Sequence, residues 1–274
     1  MSDQRPIGVF DSGMGGLTVL KALRARLPHE DLVYLGDTAR LPYGTKSAET
    51  ITAYALQATK HLMSHDIKMA VIACNTASAV ALEPLSKALA PLPVIGVIEP
   101  GARAAVAATH NNHIAVIATE STVKGGAYSR AIHKLAPDAH VTQEPCALFV
   151  ALAEEGWISG DVAEAAARRY LTPLFNRPAR PDTLVLGCTH FPALSASIAA
   201  VAGEGVTLVD SAATTAESVE AALKEKSLSS ASKTKGKTRF LATDNPERFA
   251  RVGGIFFGEH IGPEDVELID IRPS

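Results

Sequence analysis

The chain has 274 residues, more than one domain usually holds, so two compact units or one large α/β unit are expected, each with an ample core. Its 47% apolar fraction contains no uninterrupted run of roughly eighteen apolar residues, and Met1 to Pro6 holds no apolar leader, which argues against a membrane span or secretory signal and points to the cytoplasm. A formal charge of -3 with Lys and Arg dispersed offers nucleic acid no continuous basic footprint, and three cysteines without a CxxC argue against a secreted disulfide framework.

Apolar runs of strand length alternate with helical patterns in chain order. "IGVF" precedes a helix over Leu17 to Leu27, "LVYLG" one over Ala48 to His65, "MAVIA" one over Ala77 to Leu89, and "PVIGVI" one over Ala102 to Thr109. Runs without polar alternation suit strands covered on both faces, hence mainly parallel sheet. The first strand opens into "DSGMGG", where Gly13, Gly15 and Gly16 permit close backbone approach. That loop lacks GxxxxGK[ST] and departs from GxGxxG, so it is not a standard nucleotide loop. Asp11 and Ser12 either cap the helix or meet a ligand. "LGDTARLPYGTKS" reads as a turn-rich loop able to close over a ligand.

The rhythm then restarts. "IAVIA" at 114–118 resembles "IGVF", and "TESTVKGG" reads as a second polar, glycine-containing loop. "VIACNTASA" and "LVLGCTHFP" each place a cysteine after an apolar strand, Cys74 at 67 positions beyond Ile7 and Cys188 at 74 beyond Ile114. We read an internal duplication: two similar parallel-sheet α/β domains with the site in the cleft between them, beyond the carboxyl ends of the strands. The first is expected over 1–99 and 211–274, the second over 100–210. "KEKSLSSASKTKGK", 224–237, reads as an exposed loop acting as a tether.

A thiolate is a strong base or nucleophile, and a helix N-terminus favours it, so Cys74 and Cys188 are both expected at such positions. Asn75, Thr76, Thr189 and His190, with backbone N–H groups, can donate to a bound carboxylate. A lone cysteine is most often a small core residue. Duplication reverses that reading for this pair, whereas Cys146 lacks the strand-end context and reads as structural. His190 can orient Cys188. His110 and His113 read as a solvated loop, and Glu154 and Glu155 most simply as exposed helix-end carboxylates. No HExxH, CxxC or DxD suggests a metal.

Taken together, "FDSGMGGLTVLKAL", "YLGDTARLPYG", "ACNTASA", "LGCTHFP" and "TDNPERFARVGG" resemble the glutamate racemases, the cofactor-independent branch of the aspartate/glutamate racemase group, over nearly the whole chain. The resemblance implies two α/β domains around a buried glutamate, interconversion of L- and D-glutamate for peptidoglycan synthesis, and Cys74 and Cys188 as the two proton-transfer bases. It further implies that Asp11 assists Cys74, that His190 with Glu154 assists Cys188, and that Asp11, Ser12, Tyr43, Gly44, Asn75, Thr76, Thr189 and His190 contact substrate. His190 is then tied to proton removal from L-glutamate and Asp11 to removal from D-glutamate. No cofactor and no metal are implied; a homodimer is compatible with the resemblance, while nucleic acid and membrane are not expected as partners. "CALFVALAEEG" departs from the family, which often has prolines there. Rival readings are a racemase for aspartate or another small amino acid, and a binding module whose cysteines are structural.

Overall fold

A computed structural model describes residues 3–271; the outermost ends of the first expected unit, 1–2 and 272–274, lie outside the described residues. The first run of elements is β1 (Ile7–Asp11), α1 (Leu17–Arg26), β2 (Leu32–Gly36), α2 (Ala48–Met63), β3 (Met69–Ile72), α3 (Asn75–Ala88), β4 (Val94–Gly96) and α4 (Ile98–Ala108). The second is β5 (His113–Ala118), α5 (Glu120–Gly125), α6 (Ala127–Leu135), β6 (His140–Pro145), α7 (Leu148–Glu154), α8 (Asp161–Phe175), β7 (Thr183–Gly187), α9 (Ser195–Ala202), β8 (Thr207–Asp210) and α10 (Ser211–Glu225). The chain then returns through β9 (Thr238–Ala242), α11 (Pro246–Phe257) and β10 (Val266–Leu268).

Two sheets result, in the orders β10-β9-β2-β1-β3-β4 and β6-β5-β7-β8. Their strand pairings are parallel. Setting aside β9 and β10, both sheets run second, first, third, fourth in their own chain order, as a duplicated unit would. β1, β2, β3, β5 and β7 are buried along their whole length, which explains their unbroken apolar sequences. One cluster of buried side chains joins Val9 and Val71 of the larger sheet to Ile117 and Leu186 of the smaller, with Ala216 and Val219 of α10.

Register aligns the functional strand ends. Phe10 stands opposite Ile72, and Ala118 opposite Gly187, so Thr119 and Cys188 leave their sheet side by side.

Four local expectations change. The segment read as a second polar loop forms helix α5, and its glycines are the stop signal, since Gly126 takes the left-handed conformation (φ 59°) that closes a helix. α4 begins four residues earlier than expected, because Pro100 lies in the first turn, where its missing N–H has no intrahelical partner to lose. His113 is the first residue of β5, only 8% exposed, with its ring edge-on to His140 at 4.3 Å between centroids; His110 is exposed, as expected. The Lys- and Ser-rich segment has no helix or strand over 226–237, yet it is fastened. Ser230 N–H donates to the Glu30 carboxylate (2.7 Å), which also binds the buried Lys68 (2.5 Å), and Lys237 N–H donates to Asp31 (2.6 Å).

Candidate active site

In each sheet the first strand lies between the second and third, so the chain departs in opposite directions on its two sides and leaves a crevice at the carboxyl ends. Asp11 closes β1 and Thr119 follows β5; Cys74 lies just past β3 and Cys188 directly after β7. These four positions meet around a cavity of about 210 Å³ lined by Ser12, Tyr43, Gly44, Cys74, Asn75 and Thr76 from one unit and Thr119, Glu154, Cys188, Thr189 and His190 from the other. Asp11 is fully buried behind the lining. The glycine loop after β1 reaches the second unit: a Cβ on Gly15 would stand 2.5 Å from Thr189 Oγ1 and 2.7 Å from His190 Nδ1.

Cys74 is the N-cap of α3, and its sulfur accepts the Ala77 N–H at 3.4 Å while the thiol donates to Ser12 Oγ at 3.4 Å. Burial pushes this thiol up from 9.0 to about 12, and the nearby Asp11 carboxylate pushes the same way; Ser12 and the Ala77 N–H offset only part. Asp11 accepts the Gly13 N–H at 2.9 Å through Oδ2, while its buried Oδ1 has no partner. Burial raises the Asp11 carboxyl above its ordinary range, against the pull of His190 and the surrounding backbone N–H groups.

Cys188 does not cap an α-helix, contrary to expectation. Its carbonyl accepts the Phe191 N–H in a tight turn, a 3-10 segment follows over Phe191–Leu194, and α9 starts only at Ser195. Pro192 accounts for the delay, since it has no N–H and disfavours helical geometry in the residue before it. The help a helix would give comes instead from a side chain: His190 Nδ1 lies 3.8 Å from Cys188 Sγ. His190 Nε2 meets Glu154 Oε1 at 3.1 Å, and Arg248 Nη2 donates to Glu154 Oε2 at 2.9 Å. Burial alone would lower His190, but its bonds to Cys188 and Glu154 outweigh that and raise it from 6.5 to about 10. Burial likewise works against the Glu154 carboxylate, which His190 and Arg248 nonetheless hold below its ordinary 4.5. Glu154 is therefore a buried carboxylate between two cations, not an exposed helix-end acid; Glu155 is exposed as expected.

Besides the carboxylate of Glu120, the remaining polar side chains of the lining are neutral. Tyr128 Oη donates to Asn75 Oδ1 at 2.7 Å, which fixes the amide orientation and leaves its N–H groups for a ligand. Thr76, Thr119 and Thr122 form a ring of hydroxyls, with 2.9 Å between Thr76 and Thr119 and 3.0 Å between Thr119 and Thr122. Tyr43 donates its hydroxyl to the buried Asp37. Ser121 Oγ donates to the Gly44 and Lys46 carbonyls at 2.9 and 3.0 Å, tying α5 to the Tyr43–Thr45 turn. No Lys or Arg lines the cavity among the described residues. Also among the described residues, no group of three or more His, Cys, Asp or Glu is placed to hold a metal ion. Cys146 directly follows β6, so it does have the strand-end context denied to it on sequence, but it is fully buried in the core and is not part of the cavity lining, although its neighbour Ala147 is.

Thr119, Thr122, Tyr128 and Arg248 are not singled out by sequence reasoning. Thr119 was the accessible one, because it follows β5 as the "DS" of "FDSGMGG" ends β1. Arg248 reaches Glu154 across 94 positions, a separation that no local pattern encodes.

The Asp/Glu/Hydantoin racemase family model matches residues 17–219. A glutamate racemase of Geobacter metallireducens is 50% identical over 258 residues, covering 94% of each chain. A crystal structure of the Francisella tularensis glutamate racemase in complex with D-glutamate has a TM-score of 0.90 at 39% identity, and one of a Bacillus anthracis glutamate racemase 0.92 at 35%, each covering 98% of both chains. The chain belongs to the Asp/Glu/hydantoin racemase family, in its glutamate racemase branch.

Proposed function

We propose that this chain interconverts L- and D-glutamate by two-base proton transfer, with Cys74 and Cys188 addressing opposite faces of the substrate α-carbon, and so supplies D-glutamate for peptidoglycan synthesis. The observation that carries this reading is the pair of thiols at equivalent strand ends, lining one small cavity. In one direction a thiolate takes the α-proton, the Cα–H pair passes onto the substrate as a carbanion, and the opposite thiol returns a proton from the other face. The first sulfur ends protonated and the second ionised, so the reverse reaction starts from the mirror arrangement. His190, held charged by Glu154, supports the thiolate of Cys188; Asp11 is assigned a different part at Cys74, that of a carboxylate able to accept the thiol proton, since its charge disfavours the thiolate.

The α-proton is weakly acidic, so donors must spread the developing charge into the α-carboxylate. Asn75, Thr76 and Thr189 are assigned that task, and Ser12 with the Tyr43–Gly44 turn is assigned to hold substrate. The scheme needs no cofactor, because the thiols carry both proton transfers. The cavity of about 210 Å³ is also smaller than the roughly 300–1,000 Å³ typical of drug-sized ligands and suits a small amino acid. We place the enzyme in the cytoplasm; among the described residues no helix is long and apolar enough to cross a membrane. We divide the two units near Pro100 and Asp210, where the chain passes between the sheets.

Incubation with protiated L-glutamate in deuterium oxide tests the reading. At low conversion, after chiral separation, mass spectrometry should find deuterium in the D-glutamate formed and the original proton in residual L-glutamate. Retention of every α-proton would leave only a binding module, and early deuterium in residual L-glutamate would point to one shared base. Turnover of aspartate in preference to glutamate would move the substrate assignment.

A further inference from the structure

Arg248 occupies a poor place for a cation. It is the third residue of α11, in the first turn, where unpaired N–H groups and the helix dipole already create positive potential. Its own N–H is satisfied by Asn245 Oδ1 at 3.0 Å. The position makes sense through Glu154, whose side chain is 9% exposed against 39% for Arg248. The two oxygens of that carboxylate are divided: Oε2 accepts from Arg248 at 2.9 Å, and Oε1 faces His190 Nε2 at 3.1 Å. His190 in turn faces Cys188 at 3.8 Å. Arg248 does not line the cavity, and it reaches this relay from the C-terminal return of the chain, whereas Glu154 ends α7.

We propose that Arg248 is a positioning residue for proton transfer at Cys188. A glutamate side chain held by one bond keeps rotamer freedom, and a second anchor on its far oxygen removes it. Arg248 thereby fixes Glu154 against His190 and keeps Nδ1 directed at the sulfur. The inference rests on the racemase reading.

The test uses full-length Arg248→Ala and Arg248→Lys with L- and D-glutamate, unlabelled and α-deuterated. Arg248→Ala should lose about tenfold in kcat with KM nearly unchanged, the scale of a charge-assisted hydrogen bond. Arg248→Lys, which keeps the charge without the planar fork, should fall between it and the parent. The decisive readout is the isotope effect on kcat/KM. Slowing the Cys188 transfer makes it limiting in both directions, so the effect should rise for the enantiomer whose proton Cys188 removes and fall toward one for the other. Unchanged kcat, or a uniform loss that leaves the two isotope effects in their parental ratio, would overturn the assignment. Should the alanine variant fail to fold, the lysine variant carries the same isotope comparison. A parent chain that does not racemise glutamate would remove the underlying reading, whereas an active parent with an indifferent Arg248→Ala removes only this one.

Discussion

The two thiols occupy matching positions after the third strand of their sheets, yet their surroundings are opposite in kind. Cys74 has a helix behind it and a buried carboxylate nearby, and the net result is a thiol pushed up to about 12. Cys188 has no helix but a histidine raised to about 10, backed by a carboxylate and an arginine. The two halves match in the placement of sulfur but differ in the charges around it. A reaction that is symmetric in substrate and product is therefore assigned to a site whose charged relay, Glu154 with His190 and Arg248, lies on the Cys188 side alone.

The severest way to break the comparison is to remove each sulfur. Cys74→Ser and Cys188→Ser should each lose at least about a thousandfold in racemisation, because a serine hydroxyl is a far weaker acid than a thiol. Cys146→Ser, altered outside the cavity, should keep most activity; circular dichroism of the glutamate solution reads all three. Robust turnover by either single-site serine variant would end the two-thiol assignment.

Removing the partners sharpens it. His190→Ala and Asp11→Ala should each cost about a hundredfold, within the usual range for acid–base assistance. Initial α-proton exchange should fall more from L-glutamate in the first variant and from D-glutamate in the second. Equal losses from both enantiomers in both variants would mean that the two surroundings are not specialised.

The charge difference should also be visible in stability. His190 is raised from 6.5 to about 10 on folding, so its stabilisation is fully present below pH 6.5 and is lost as pH rises through about 10. The loss is on the order of a few kcal/mol. The Cys74 thiol, with the same sign, contributes only above about pH 9. Melting temperature should therefore decline from pH 7 to 10, and His190→Gln should flatten that decline; an unchanged slope would show that the imidazole is not held charged.

The smallest effect serves as a control on the comparison. Ser121→Ala removes the link to the Gly44 and Lys46 carbonyls, worth about 1 kcal/mol, and should raise KM a few-fold equally for both enantiomers. A bias toward one enantiomer would place Ser121 on one side of the proton path.

What could be read from the sequence follows from distance along the chain. Strands such as "IGVF" and "LVLG" are legible because burial on both faces writes itself as an unbroken apolar run. The two cysteines are legible because a strand end is a local event. Glu154 is not, since its burial depends on His190 and Arg248, which lie 36 and 94 positions away. The delayed helix after Cys188 has a local signal in Pro192, which the analogy with Cys74 leaves out of account. The helix over Glu120–Gly125 was hidden because its terminal glycines look the same in a loop as in a helix stop.

The shared cluster of Val9, Val71, Ile117 and Leu186 has a bearing on cooperativity. Neither unit owns the full apolar surface that it buries, because part of each is covered by the other and by α10. Melting one sheet would strip the other of that cover, so the chain should denature as a single all-or-none unit, with calorimetric and van't Hoff enthalpies in agreement. Residues 100–210 expressed alone would then carry an uncovered apolar face and aggregate rather than fold.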